Sequence, residues 1–183
     1  MANKDAPQGA RPLRHLTGGN AFRMNPHTVD SGNSTAIFIG DFVMLEADGN
    51  VAPATAGARI LGVCGAVAGD YDNLSRRYLP ASTAGTIMVY DDPNIVFAIQ
   101  EDSVGSTLAL ADRGLRADHI AGTGSTTTSI SGHEIDSSDA ATNDGGLRLI
   151  KIVDRADNAI GANAEWEVHI AQHEYAGTEV TGV

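Results

Sequence analysis

The chain has 183 residues, with 23 acidic against 12 basic side chains and a net charge of −11. That balance argues against nucleic acid as a direct partner, since phosphate binding needs a positive surface. No stretch approaches the roughly 18 consecutive apolar residues of a membrane span, so neither nucleic acid nor membrane is expected as a partner. The length suits one well-buried core, or one core with an extended arm, and 21 glycines with only 5% aromatic residues point to many tight turns rather than a helical bundle.

The charge is uneven. Residues 1–30 carry Lys4, Arg11, Arg14 and Arg23 against Asp5 and Asp30, a net +2 that leaves −13 on the remainder. Residues 1–34 hold Pro7, Pro12 and Pro26 with several glycines and no sustained period, and read as an extended N-terminal arm. Its prolines lower the entropy lost when such a segment is fixed on a surface. Arg11, Arg14 and Arg23 are candidate contacts, each able to fork onto a carboxylate of a partner or sister subunit. MANKDAPQG has no apolar core of a secretory signal, so the expectation is a protein made in the cytoplasm and kept or assembled there.

A single β-rich domain is expected over 35–175. Thr35–Ile39 reads as its first strand. Gly40–Val67, GDFVMLEADGNVAPATAGARILGVCGAV, reads as strand, tight turn, short strand, loop and strand: Phe42–Leu45 is an apolar run, Asp48-Gly49-Asn50 supplies turn chemistry, Val51 begins a return, and Ile60–Cys64 is a second apolar run. The carboxylates here, Asp41, Glu46 and Asp48, have no His or Lys beside them in sequence. Cys64, the one cysteine, reads as a buried inert thiol. Residues 68–82 form a polar connection in which Arg76 and Arg77 lie beside Tyr71 and Tyr78. Tyr and Arg are enriched at interface centres, so these four join the candidate contacts.

Gly85–Tyr90 and Ile95–Gln100 read as strands joined by Asp91-Asp92-Pro93-Asn94 as a hairpin loop, with Ile95, Phe97 and Ile99 inward. One helical turn is expected within 109–120. Residues 122–146 are nearly all small and polar, and read as a surface flap. Leu147–Val153 alternates, with Leu147, Leu149, Lys151 and Val153 on one side and Arg148, Ile150 and Ile152 on the other. Glu165–Ala171 places Trp166, Val168 and Ile170 inward and Glu165, Glu167 and His169 outward. Residues 176–183 read as a frayed tail. About eight strands with frequent turns predict an all-β fold, a small barrel or sandwich of β-tulip or jelly-roll type, with an extended N-terminal arm and a polar flap.

The chain carries few signs of catalysis. His169 and His173 are four apart but lack the adjoining Glu of a zinc-protease helix and sit in a strand context. Asp139 with Asn143-Asp144-Gly145 lacks the alternating ligands and closing Glu of a calcium loop. There is no G-x-S-x-G elbow, and Gly122-Thr123-Gly124-Ser125 lacks the third glycine of a dinucleotide site and the lysine of a phosphate loop. No enzyme, metal or cofactor is expected.

The opening MANKDAPQGARPLRHLTGG resembles the start of small virion structural proteins of tailed phages. The Gly40–Val67 segment is similar to the β-rich core of phage head decoration, or cement, proteins, and YLPASTAGTIMVYDDPNIVFAIQED and DNAIGANAEWEVHI continue the likeness. The resemblance implies a structural protein on the outer surface of an icosahedral capsid, a homotrimer that clamps neighbouring major capsid protein subunits and stabilises the expanded head. The chain departs from the small lambda-type members in its length and in residues 122–146. The alternative reading is a receptor- or glycan-binding module on the virion surface, which a groove of exposed aromatics would favour.

Overall fold

The computed structural model describes residues 3–70, 72–141 and 145–176. The protein is all-β. Its strands are β1 (Arg11–His15), β2 (Asn25–Val29), β3 (Phe42–Leu45), β4 (Val51–Pro53), β5 (Gly62–Val67), β6 (Gly85–Tyr90), β7 (Ile95–Gln100), β8 (Arg116–Ala117), β9 (His119–Ile120), β10 (Glu134–Ile135), β11 (Leu147–Ile152) and β12 (Glu165–Ile170). A 3-10 turn, Leu110–Asp112, falls within the span where one helical turn is expected. One antiparallel sheet runs β1-β7-β12-β11-β8, a second runs β2-β6-β5-β3-β4, and β9 pairs with β10.

The apolar runs of the sequence become the two clusters that hold these sheets. Period-two alternation sends successive side chains to opposite faces. In β3, Phe42 and Met44 therefore join Val63 against the inward residues of the first sheet, including Phe97, Leu149, Trp166 and Val168. Val43 and Leu45 point the other way, into a cluster with Val29, Val51, Cys64, Ile87 and Val89 that Ile37, Leu61 and Leu79 complete. The second sheet is thus apolar on both faces. It curls until Thr28, on β2, donates from Oγ1 to Asn50 Oδ1 at 2.9 Å, next to β4. The sheets do not close into a barrel.

Several expectations change on the way from pattern to pairing. Residues 1–34 are extended, but β1 and β2 lie within them as edge strands, β1 on β7 and β2 on β6. Pro12 sits opposite Phe97 and Pro26 opposite Met88. A proline cannot donate to a ladder, so a strand containing one is tolerated at a sheet edge. Thr35–Ile39 makes only isolated bridges, Ile37 with Leu79 and Ile39 with Ile130. The Asp91–Asn94 loop is not a hairpin: β6 belongs to the second sheet and β7 to the first, so it carries the chain between sheets. In β11 a bulge between Leu149 and Lys151 resets the alternation. Leu147, Leu149 and Ile152 face the core cluster and Lys151 turns out with Arg148.

The expected flap at 122–146 is exposed over Ser125–Thr128, but residues 129–137 are not a surface excursion. Ser129, Ser131, His133, Ile135 and Ser137 are all buried, and the segment threads between the N-terminal residues and the turn before β3. Ser131 N donates to Ile39 O at 2.9 Å and Ala10 N to Gly40 O at 2.9 Å. Gly40, at φ +98, makes this close crossing possible. A Cβ there would lie 2.8 Å from Gln8 O, and the left-handed backbone itself favours glycine. The expected tail at 176–183 lies, beyond Ala176, outside the described residues, as does the Asn143-Asp144 pair.

Candidate interaction surface

The candidate contacts do not converge. Arg11 and Arg14 stand on β1 and reach across to β12. Arg11 pairs with Glu165. Arg14 donates from Nε at 3.1 Å and from Nη2 at 2.7 Å to Glu167 Oε2. Glu167 Oε1 faces Lys151 Nζ at 3.3 Å, and Glu165 Oε2 accepts from Arg155 Nη1 at 2.7 Å. The two arginines expected to reach a partner's carboxylates are therefore held by carboxylates of their own chain. Burial first, and the Arg155 charge second, lower the Arg11 pKa from its ordinary value. Both glutamates were placed outward by alternation, yet each is buried beneath the longer cationic side chains around it.

Arg23 is exposed in the connection between β1 and β2. Arg76, Arg77 and Tyr78 lie together on the connection from β5 to β6. Arg76 pairs with Asp70 at 2.5 Å, Arg77 is exposed and its N–H donates to Ser129 Oγ at 3.2 Å, and Tyr78 stacks on Phe38 with centroids 4.9 Å apart. Tyr71 lies outside the described residues. The candidates thus divide between the two sheets. The residues that sequence reasoning passed over are Lys151, Arg155, Glu165 and Glu167 as a network. The E-W-E alternation was the one available signal, because it put both glutamates on a single face.

Asp41 was read as lacking a histidine neighbour; the fold supplies one 92 positions away. His133 Nε2 lies 3.5 Å from Asp41 Oδ1, with both side chains 3% exposed. Phe42 N donates to His133 Nδ1 at 3.2 Å and Phe38 N to Asp41 Oδ2 at 2.7 Å. His119 stacks on His133 at 5.3 Å and donates from Nε2 to Ala54 O at 2.9 Å. Desolvation raises the Asp41 pKa to about 6 and lowers that of His133 to about 3, so burial favours the neutral form of each.

Ser131 hydrogen-bonds to Asp41, and its Oγ accepts from His133 N at 2.9 Å. The residue types are those of a hydrolytic triad, but the order is wrong. The aspartate lies between serine and histidine, and among the described residues no bond joins Ser131 Oγ to the His133 ring, so the nucleophile has no base. The cluster's geometry instead fastens the turn before β3 to the largely buried stretch that leads into β10.

A pocket of roughly 320 Å³ opens beside β1, where Lys4, Arg11, Gln100, Arg155, Asn158 and Glu165 line it. The Gln100 amide in its wall is already matched: Gln100 Nε2 donates to Lys4 O at 2.8 Å and to Asn163 O at 3.0 Å, and Gln100 Oε1 accepts from Ala6 N at 3.1 Å. The pocket is a seam along which the N-terminal residues are tied down. No protein-family model, no curated protein and no solved structure matches this chain.

Proposed function

We propose that this protein is a structural virion component of a tailed phage, assembled in the host cytoplasm onto the outside of an icosahedral head. There it clamps neighbouring major capsid protein subunits as a homotrimer and stabilises the expanded shell. The observation that carries this reading is the resemblance of the opening residues and of Gly40–Val67 to head decoration proteins. A sandwich-like packing of two antiparallel sheets supports it, as do surface residues spent on ion pairs and edge pairing. Many weak contacts acting together along a seam hold a shell against internal pressure better than any one alone. The glycan-binding alternative needs exposed aromatics gathered in a groove; among the described residues Tyr175 is the large exposed one.

The test is binding of the purified protein to expanded and unexpanded capsids by co-sedimentation, followed by electron microscopy of decorated particles and the solution mass of the free protein. Expanded heads should bind it at defined symmetry sites and the free protein should have a trimer's mass. Absence of the chain from mature shells overturns the reading. Deletion of residues 1–30 is unsuitable as a probe of contact, because it removes an edge strand from both five-stranded sheets together with buried Ala10 and Val29.

A further inference from the structure

Directly opposed residues of antiparallel strands share one face of a sheet. The registers of β8, β11, β12, β7 and β1 therefore align Arg116, Arg148, His169, Val96 and Arg14 in one row across the outer face. The next row holds Lys151, Glu167, Ala98 and Arg11. With Arg155, six of the chain's twelve lysines and arginines gather on this face. Among the described residues their ion pairs are with Glu165, Glu167 and Asp157, in a molecule whose net charge is −11.

The two ends of the face differ. Toward β1, Arg11, Arg14, Lys151 and Arg155 are tied to the two buried glutamates. At the β8 end, Arg116 and Arg148 have no ion-pair partner among the described residues. Arg113 adjoins them, its Nε donating to Ile150 O at 3.0 Å. A shallow depression opens there between Leu110, Leu149, Ile150, Arg113 and Arg148, and Leu110 is 60% exposed.

We propose that this end of the first sheet is a docking surface for an acidic protein segment, with an apolar side chain in the depression and flanking carboxylates on Arg113, Arg116 and Arg148. In a chain with nearly twice as many acids as bases, Arg113, Arg116 and Arg148 lie together with no ion pair to a carboxylate among the described residues. Their planar forks match carboxylate geometry, arginine is enriched at protein interfaces, and here it stands beside the exposed Leu110 and the half-buried Ile150. A nucleic acid fits less well: it needs a continuous positive track, and here the track runs into cations already neutralised by Glu165 and Glu167, under the field of an acidic molecule. The inference concerns what docks on this surface and holds whatever assembly the protein joins.

The test titrates the isotopically labelled full chain with a short peptide of Asp and Glu around a central Leu. Controls are the same peptide with Lys for the acids, the same with Ser for Leu, and a short single-stranded DNA. The acidic peptide should shift the NMR signals of Leu110, Ile150 and Arg148, and the Ser version should bind more weakly. Arg148→Glu, at an exposed position, should weaken binding by about tenfold without altering the far-UV spectrum, and Leu110→Ser should weaken it independently. Unmoved signals, equal binding of the Lys peptide, or tighter binding of DNA through the same arginines would each overturn the proposal.

Discussion

Glu167 is the residue whose removal best tests how the N-terminal segment is held. Its carboxylate is 6% exposed, against 36% for Arg14 and 44% for Lys151. Replacing it by Gln keeps the volume and one acceptor but turns an NH2 toward a cation. Hydrogen bonds to charged groups contribute about 1.5–3 kcal/mol when buried. Solvent reaches both cations, so we take about 1.5 kcal/mol for the Arg14 pair and about 0.5 kcal/mol for Lys151. The loss is then about 2 kcal/mol. With a urea dependence of about 2 kcal/mol per molar for a domain of this size, Glu167→Gln should lower the unfolding midpoint by about 1 M. The damage should be local first. Amides of β1 should exchange faster, while those of β7 and β12 follow the global stability. A midpoint within about 0.2 M of the wild type, with β1 protection unchanged, would refute the claim that β12 carboxylates anchor this edge strand.

Three further outcomes follow from the interior. Gly62→Ala would put a Cβ 2.2 Å from Tyr90 O, backbone that cannot yield cheaply; thermal unfolding should show a loss of about 2–3 kcal/mol, and a loss below about 0.5 kcal/mol contradicts the β5–β6 register. His133 stays neutral in the fold down to about pH 3, whereas an unfolded histidine titrates near 6.5. The unfolded chain takes up the proton first, so this residue's contribution is intact above pH 6.5 and is lost as pH falls toward 3. His133→Gln should therefore be less stable than wild type at pH 7, with the gap narrowing by about 2 kcal/mol by pH 5; a gap independent of pH rules out a buried neutral imidazole. Cys64 is fully buried and burial pushes its thiol pKa up, so a thiol reagent should label it only as fast as the protein opens. Rapid labelling of the native protein would show that the second cluster is accessible.

The all-β class was legible from periodicity, and most plainly where a strand's own residues dictate it. Gly85–Tyr90 and Ile95–Gln100 have the same bounds in sequence and structure, and the inward sets Ile95, Phe97, Ile99 and Trp166, Val168, Ile170 lie in the core cluster as alternation requires. β1 and β2 were illegible because RPLRH and NPHTV show no sustained apolar alternation; their conformation comes from ladders offered by β7 and β6, and their prolines read locally as breakers. The burial within residues 129–137 was hidden for the converse reason. Serine, glycine and histidine look like loop until the fold supplies hydrogen-bond partners distant in the chain, as Asp41, Phe42 and Ile39 do for Ser131 and His133. The sign of a face is a sum over strands, so a row running from Arg116 through Arg148 to Arg14 exists only once the registers are set. Alternation, by itself, determined which way each long apolar strand faces; tertiary pairing alone decided which polar segments become buried and where the cations gather. The physical reason is range: side-chain direction follows from the local backbone, whereas ladder partners and charge neighbours depend on residues far apart in the chain.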